Sequence, residues 1–310
     1  MNYCDFIQVA ALGGLQIDHL EIDKLARCKV DGDRGGKSSG WYRLFPDGNA
    51  CAVWGNWKTG ESGVWVARER MTPMELAAHR ARIEQARRER QAEQRKQWAS
   101  NLRCNRALWL NAKPIMDGDP VALYLAGRGL AVPTSAALRC VPSLPYYGGG
   151  QCLGNFPAML AAVTSPYGEP VSVHRTYLTS DGAKADVPSV RKLMPACGPM
   201  AGACIKIGKP QARPDGVALA VAEGIETALA VTALHGIPCW AAVSADGMEK
   251  FIVPDGVTLL FVMGDHDKNG VGQKAAHALA VRAAAQGITA RVCIPPIPGA
   301  DWADVLAAFR

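Results

Sequence analysis

The sequence predicts a chain of mixed α/β class: a C-terminal α/β region on a parallel sheet, an α+β region before it and a small β-rich module at the start. Three observations predict it. From residue 214 onward, short apolar runs alternate with helical stretches, the pattern of a parallel sheet covered on both faces. Before residue 67, short aromatic runs stand between glycines, the pattern of a small antiparallel sheet. Between them lies a stretch rich in Ala, Arg, Glu and Gln, which reads as one long solvated helix. The expected organisation is a β-rich module over 1–66, a basic connecting helix over 67–109, an α+β basic region over 110–213 and an α/β domain over 214–310.

In the first module, Trp41-Tyr42-Arg43-Leu44-Phe45, Ala52-Val53-Trp54 and Val64-Trp65-Val66 read as strands, and Asp47-Gly48 as a hairpin turn. Trp41, Trp54 and Trp57 form either a small aromatic core or a surface on which bases stack. Thr72-Pro73-Met74-Glu75 starts the long helix: Thr72 caps it, Pro73 fits its first position and Glu75 completes a capping box. The charges of this helix make either a plain polar face or a rail for phosphates. Further on, 120–130 contains a short helix ending at Gly127 or Gly129, 142–150 reads as a loop, 158–163 as a strand and 171–177 as an alternating strand. In the last region, strands are expected at 217–222, 239–243, 257–263 and 288–294, with helices at 226–235, 271–286 and 302–309.

Composition bounds the function classes. Hydrophobic residues make up 49% of 310, enough for sizeable cores. No apolar run is long enough to cross a bilayer, and the first ten residues lack the basic start of a signal peptide, so a cytoplasmic protein with no membrane partner is expected. The 10 cysteines include no CxxC pair; zinc is not expected, and most of the thiols should be small buried side chains. The net charge of +6 permits nucleic-acid binding without requiring it.

Chemistry is expected beyond the carboxyl ends of the parallel strands. One strand ends in Glu223-Gly224, another in Gly264-Asp265-His266-Asp267, so both acidic clusters fall on one edge. Asp265 and Asp267 stand two apart and point the same way in extended chain. Converging carboxylates repel unless a cation neutralises them, and all-oxygen ligands select a hard cation such as Mg²⁺ bridging to phosphate. Gly270 and Gly272 follow at the start of a helix, where backbone can approach a phosphate. Taken singly, each acid is also an ordinary cap or loop residue.

Ala222-Glu223-Gly224-Ile225-Glu226-Thr227-Ala228, followed by Gly264-Asp265-His266-Asp267-Lys268-Asn269-Gly270-Val271-Gly272, resembles the signature of the Toprim family, a Glu-Gly after the first strand and an Asp-x-Asp after a later one. Asp301-Trp302-Ala303-Asp304-Val305-Leu306 resembles the acidic closing motif of phage and plasmid members. Upstream, Tyr124-Leu125-Ala126-Gly127-Arg128-Gly129-Leu130 resembles the start of the bacterial replicative primase core. His174-Arg175-Thr176-Tyr177-Leu178 and Arg191-Lys192-Leu193 are similar to its later basic strand and loop. The resemblance departs at the N-terminus, which lacks the zinc spacing with which replicative primases begin.

The resemblance implies a DNA primase-like nucleotidyltransferase of a phage, plasmid or integrative element, with Mg²⁺ as cofactor and Mn²⁺ as the alternative. Glu223, Asp265 and Asp267 would be catalytic and hold the metal, with Glu226, Asp301 and Asp304 as further site acids. Arg128, His174, Arg175, Arg191, Lys192 and Lys268 would meet nucleic acid or nucleotide, and Gly224, Gly270 and Gly272 would form the phosphate loop. Implied partners are single-stranded template DNA, nucleoside triphosphates and a helicase or other replication protein, since no GxxxxGK[ST] loop occurs and Gly202-Ala203-Cys204-Ile205-Lys206 does not supply one. Two other readings stay open: a Toprim nuclease using the same acids, and a non-catalytic DNA-binding or regulatory protein with a vestigial site. A topoisomerase would need gate-forming domains for which this chain has no room.

Overall fold

The computed structural model describes residues 4–34, 36–46, 51–66 and 73–309. It has the mixed α/β class that the sequence predicts, packed as two compact units, Met1–Arg90 and Gln91–Arg310. Asp47-Gly48, Thr72 and the Glu75 side chain lie outside the described residues.

The first unit opens with a helix that the strand-centred reading missed, α1 (Cys4–Leu12). Five antiparallel strands follow in sequential order, β1 (Leu15–Gln16), β2 (Leu25–Val30), β3 (Gly40–Phe45), β4 (Cys51–Asn56) and β5 (Ser62–Val66). Alternation sets the faces: Ala26, Cys28, Val30, Tyr42, Leu44 and Trp54 are buried with Phe6 and Ala10 of α1. Trp54 is therefore core, 9% exposed, while Trp57 is 51% exposed. Asp33 organises the β2–β3 connection. Its carboxylate accepts from the Val30 and Ser39 amides and the Ser39 hydroxyl, and it pairs with Lys58 at 2.8 Å.

Helix α2 (Pro73–Asn111) starts at the proline that the sequence offered as its first position. Arg87, Arg88 and Arg90 are exposed, and Arg88 pairs with Glu84 at i,i+4. In the second unit come α3 (Pro120–Gly127) and a four-stranded antiparallel sheet ordered β6 (Leu138–Gly148), β7 (Gln151–Thr164), β8 (Pro170–Tyr177) and β9 (Arg191–Leu193). The expected loop over 142–150 is thus mostly strand. Pro142 and Pro145 are tolerated because β6 lies at the sheet edge and its register shifts between Val141 and Leu144. Nor does β8 alternate: Val171, Ser172, Val173 and His174 are all buried, because both faces of this strand are covered.

The second sheet follows: β10 (Gln211–Arg213), β11 (Gly216–Ala222), α4 (Ile225–His235), β12 (Cys239–Ala241), α5 (Ala245–Glu249), β13 (Leu259–Met263), α6 (Val271–Ala284), β14 (Thr289–Cys293) and α7 (Trp302–Ala308). Strands β12, β11, β13 and β14 are parallel, and β10 adds an antiparallel edge pairing to β11. Along β11, Ala218, Ala220 and Ala222 face one core with Ala228 and Val231 of α4, and Leu219 and Val221 face the other with Leu279 of α6. Small side chains on one face let α4 approach closely. Large ones on the other gain about 1.5–3 kcal/mol each from burial. Backbone bridges Thr164–Cys204 and Ile205–Ala241 stitch the antiparallel sheet to the parallel one. That seam brings β8 and β9 to the edge where the acids stand.

Candidate active site

Each acid is placed by the end of an element. Glu223 leaves β11 and receives the Ala245 amide at the start of α5. Burial raises its pKa first, and the nearby Asp267 charge raises it further. The chain reaches α5 through Val243, a β-branched residue held at φ 72°, so the expected strand over 239–243 ends early at Ala241. Such backbone is strained for valine and persists only where surrounding packing imposes it.

Asp265 and Asp267 follow β13. Asp267 accepts from the Gly272 amide at the start of α6. A Cβ at Gly272 would meet the Asp267 carboxylate at 3.0 Å and the Asp265 carbonyl at 3.1 Å, so glycine lets this loop pack closely on the start of α6. Gly270 caps α6 at φ 71°, a conformation that suits glycine. Asp301 and Asp304 form a capping box on α7, each carboxylate accepting the other's backbone amide.

Asp265 has no such structural duty. Its Oδ1 is buried with no hydrogen-bond partner. Burial, then the charges of Asp301, Glu223, Asp267 and Asp304, push its pKa up to about 7. Among the described residues none of these five acids forms an ion pair. A buried, unpaired carboxylate oxygen among like charges is costly and calls for a cation. Among the described residues no three acidic, histidine or cysteine side chains stand close enough to hold a metal ion together. Mg²⁺ needs only one or two carboxylates, its other positions being water and phosphate, and the donors here are all oxygen. The residues present therefore fit a Mg²⁺ held by one or two carboxylates, drawn from Asp265, Asp267 and Glu223.

Glu226 stands apart from the other acids. It lies on α4, 4% exposed, and accepts from the Tyr124 hydroxyl at 2.6 Å and from Arg191 at 2.9 Å. Burial alone would raise its pKa, but Arg191 and the Tyr124 hydroxyl outweigh burial and hold it below the usual carboxylate range. Glu226 therefore fixes a cation rather than adding to the acidic cluster. Tyr124 was quoted in the sequence motif without a role; its signal was its place one turn before Arg128.

The basic residues divide by what they already bind. Arg191 is 48% exposed and lines a cleft of about 70 Å³ with His174, Glu223, Gly224, Glu226 and Val243. Arg128 is half-buried at the end of α3 and shares a cleft of about 410 Å³ with Asp304. Lys268 is exposed beside the Asp-x-Asp loop. Three other residues expected to meet nucleic acid or nucleotide are differently occupied. Arg175 donates to the Tyr177 hydroxyl and the Leu193 carbonyl, stapling β8 to β9. Lys192 donates to the Tyr147 carbonyl and lies over the Tyr146 ring. His174 is 9% exposed, and burial pulls its pKa down to about 4. It is neutral near pH 7, so a contact from it to nucleic acid or nucleotide would be a hydrogen bond without a charge.

Residues 218–308 match the family model described as the Toprim domain. This part of the chain is a Toprim domain. The matched residues run from β11 into α7 and include all five clustered acids and Glu226. Residues 99–204, upstream of the Toprim domain, match a model described as a domain of unknown function (DUF7146). No curated protein matches the chain. Among solved structures, a DNA primase domain from Pseudomonas aeruginosa is similar at 15% identity and TM-score 0.40, over 60% of this chain and 66% of that one. The DnaG catalytic core is similar at 15% identity and TM-score 0.37, over 49% and 48%. The RNA polymerase domain of Mycobacterium tuberculosis primase DnaG, in complex with double-stranded DNA, is similar at 18% identity and TM-score 0.39, over 69% and 78%. The chain spans less than two thirds of the length of the first two. Likenesses this distant leave the function of the Toprim domain to be argued from its own site. Among the described residues no helix is long and apolar enough to cross a membrane.

Proposed function

We propose that the chain is a DNA primase-type nucleotidyltransferase whose Toprim acids work with Mg²⁺, within the replication or transfer of a mobile element. The observation that carries this reading is Asp265, a half-buried carboxylate with one buried, unpartnered oxygen among four further acids. Bound there, Mg²⁺ supplies charge neutralisation for phosphate oxygens and a lowered pKa for an attacking hydroxyl. The chain's own residues do the rest. Asp265, Asp267 and Glu223 hold the acidic edge, while Asp301 and Asp304 keep α7 capped beside it and deepen its negative potential. Arg191, anchored through Glu226, donates to the incoming phosphates by charge-assisted bonds, and Lys268 adds an exposed cation next to Asp267 in sequence. Template single-stranded DNA and nucleoside triphosphates are the substrates in this reading, and strand separation falls to a helicase partner.

The test is primer synthesis from labelled nucleotides on single-stranded DNA, with and without Mg²⁺ or Mn²⁺, for the wild type and for Asp265→Asn with Asp267→Asn. Metal-dependent products that vanish in the double variant, with its circular dichroism unchanged, are expected. The same products from the double variant would remove the acids from the chemistry. Metal-dependent strand cleavage in place of synthesis would replace this reading with a nuclease.

A further inference from the structure

The five-stranded sheet of the first unit buries one face and leaves the other open. Register pairs define the open face. Arg27 stands opposite Trp41, which stands opposite Gly55; Leu25 stands opposite Arg43, then Val53, then Val64. Lys29 and Gln16 pair on the same face at the β1 edge. Every charged residue on these strands is basic and lies on this face: Arg27, Lys29 and Arg43. Two acids stand at the rim: Asp23, from the preceding turn, sits 3.6 Å from Arg43, and Asp31 accepts from the Gln16 amide at 3.0 Å.

The aromatic part of the face is built and not incidental. The Trp41 ring lies against Gly55, where a Cβ would come within 2.6 Å of it, so glycine lets the indole rest on the sheet. Trp57 stands beside it with ring centroids 6.3 Å apart and is 51% exposed. The Arg27 guanidinium lies over Trp57 at 4.0 Å. That stack orients Arg27 while leaving its N–H donors unspent: among the described residues neither Arg27 nor Lys29 makes a side-chain hydrogen bond or ion pair. Val64, 56% exposed, extends the apolar floor.

We propose that this open face is a docking surface for single-stranded DNA, separate from the Toprim acids and independent of metal. The exposed Trp57 indole, with the half-buried Trp41 beside it, offers a stacking plane to unpaired bases, and the three cations complement the phosphates that run between those bases. A duplex keeps its base faces stacked internally and could use only the charges. The face carries few neutral polar side chains that could select a ribose hydroxyl, which favours DNA over RNA.

The experiment uses the full chain in chelator, so that no metal-dependent contact contributes. Fluorescence anisotropy follows a labelled oligothymidylate against wild type, Trp57→Ala, Arg27→Ala with Trp57→Ala, and the conservative Trp57→Phe. The proposal expects at least about tenfold weaker binding for the double variant, and binding within about threefold of wild type for Trp57→Phe, because a phenyl ring still stacks. It also expects the double variant to bind a base-free abasic oligomer as wild type does to within the loss of one phosphate contact. Trp57 is exposed, so folding should survive, and thermal melting checks it. Oligothymidylate affinity unchanged in the double variant overturns the proposal and leaves the face to a protein partner. Tighter binding of oligouridylate than oligothymidylate, lost in Trp57→Ala, also overturns it by assigning the face to RNA.

Discussion

At the scale of residues, the acids of the Toprim domain differ by what each already satisfies. Asp301 and Asp304 satisfy each other's amides, Asp267 accepts the Gly272 amide, and Glu226 holds Arg191 and Tyr124. Asp265 keeps an unsatisfied oxygen, and that separates a candidate metal holder from a structural acid. Tyr124→Phe tests the Glu226 network. It leaves Glu226 with Arg191 alone and should cost about 1.5–3 kcal/mol, the range for a hydrogen bond to a charged group. Urea unfolding measures it; a change under about 0.5 kcal/mol would mean that Arg191 alone satisfies Glu226. Positions 223, 265 and 267 were legible in the sequence because strand ends can be read from apolar runs. The role of Glu226 was not, because its partners stand 102 and 35 residues away in the chain.

Elements were legible where their period was strong. The βα alternation after residue 214 is written in long apolar runs, and its strands and helices fall close to the expected spans. Strand β6 was hidden by Pro142, Pro145 and the glycines after Tyr147, which are compatible with an edge strand and indistinguishable from a loop by composition. Helix α1 was hidden by the glycine-punctuated strands around it, although Gly13-Gly14 marks its end and Phe6 and Ala10 its buried face. The β2–β3 connection carries a pH prediction. The Lys58 ammonium, then the Ser39 amide, hold the Asp33 carboxyl well below the usual carboxylate range. A depressed carboxyl contributes stability above its unfolded pKa, near 4, and loses it as pH falls toward the folded value. Exchange protection of the Val30 and Ser39 amides, corrected for intrinsic rates, should hold from pH 7 to about 5 and fall steadily toward about 2. Asp33→Asn should flatten that profile. Equal profiles in the two proteins would show that the Asp33 charge does not hold this turn.

For the molecule as a whole, two separate tasks are proposed: phosphate chemistry at the acidic Toprim edge, and single-strand docking on the open aromatic and basic sheet face of the first unit. The first is the central one. Glu223 is the sharpest probe, because it lies at the end of β11 and faces both the Asp267 charge and the cleft that Arg191 lines. The deciding measurement is Mg²⁺-dependent primer synthesis by Glu223→Gln beside single-stranded DNA affinity of the same preparation. The account predicts at least about hundredfold slower synthesis, the size of effect expected when charge stabilisation is removed from a reacting centre. It predicts affinity within about threefold of wild type, less than one 1.4 kcal/mol step. Undiminished synthesis by Glu223→Gln, or a wild type that makes no primer yet nicks DNA in a Glu223-dependent way, would contradict it.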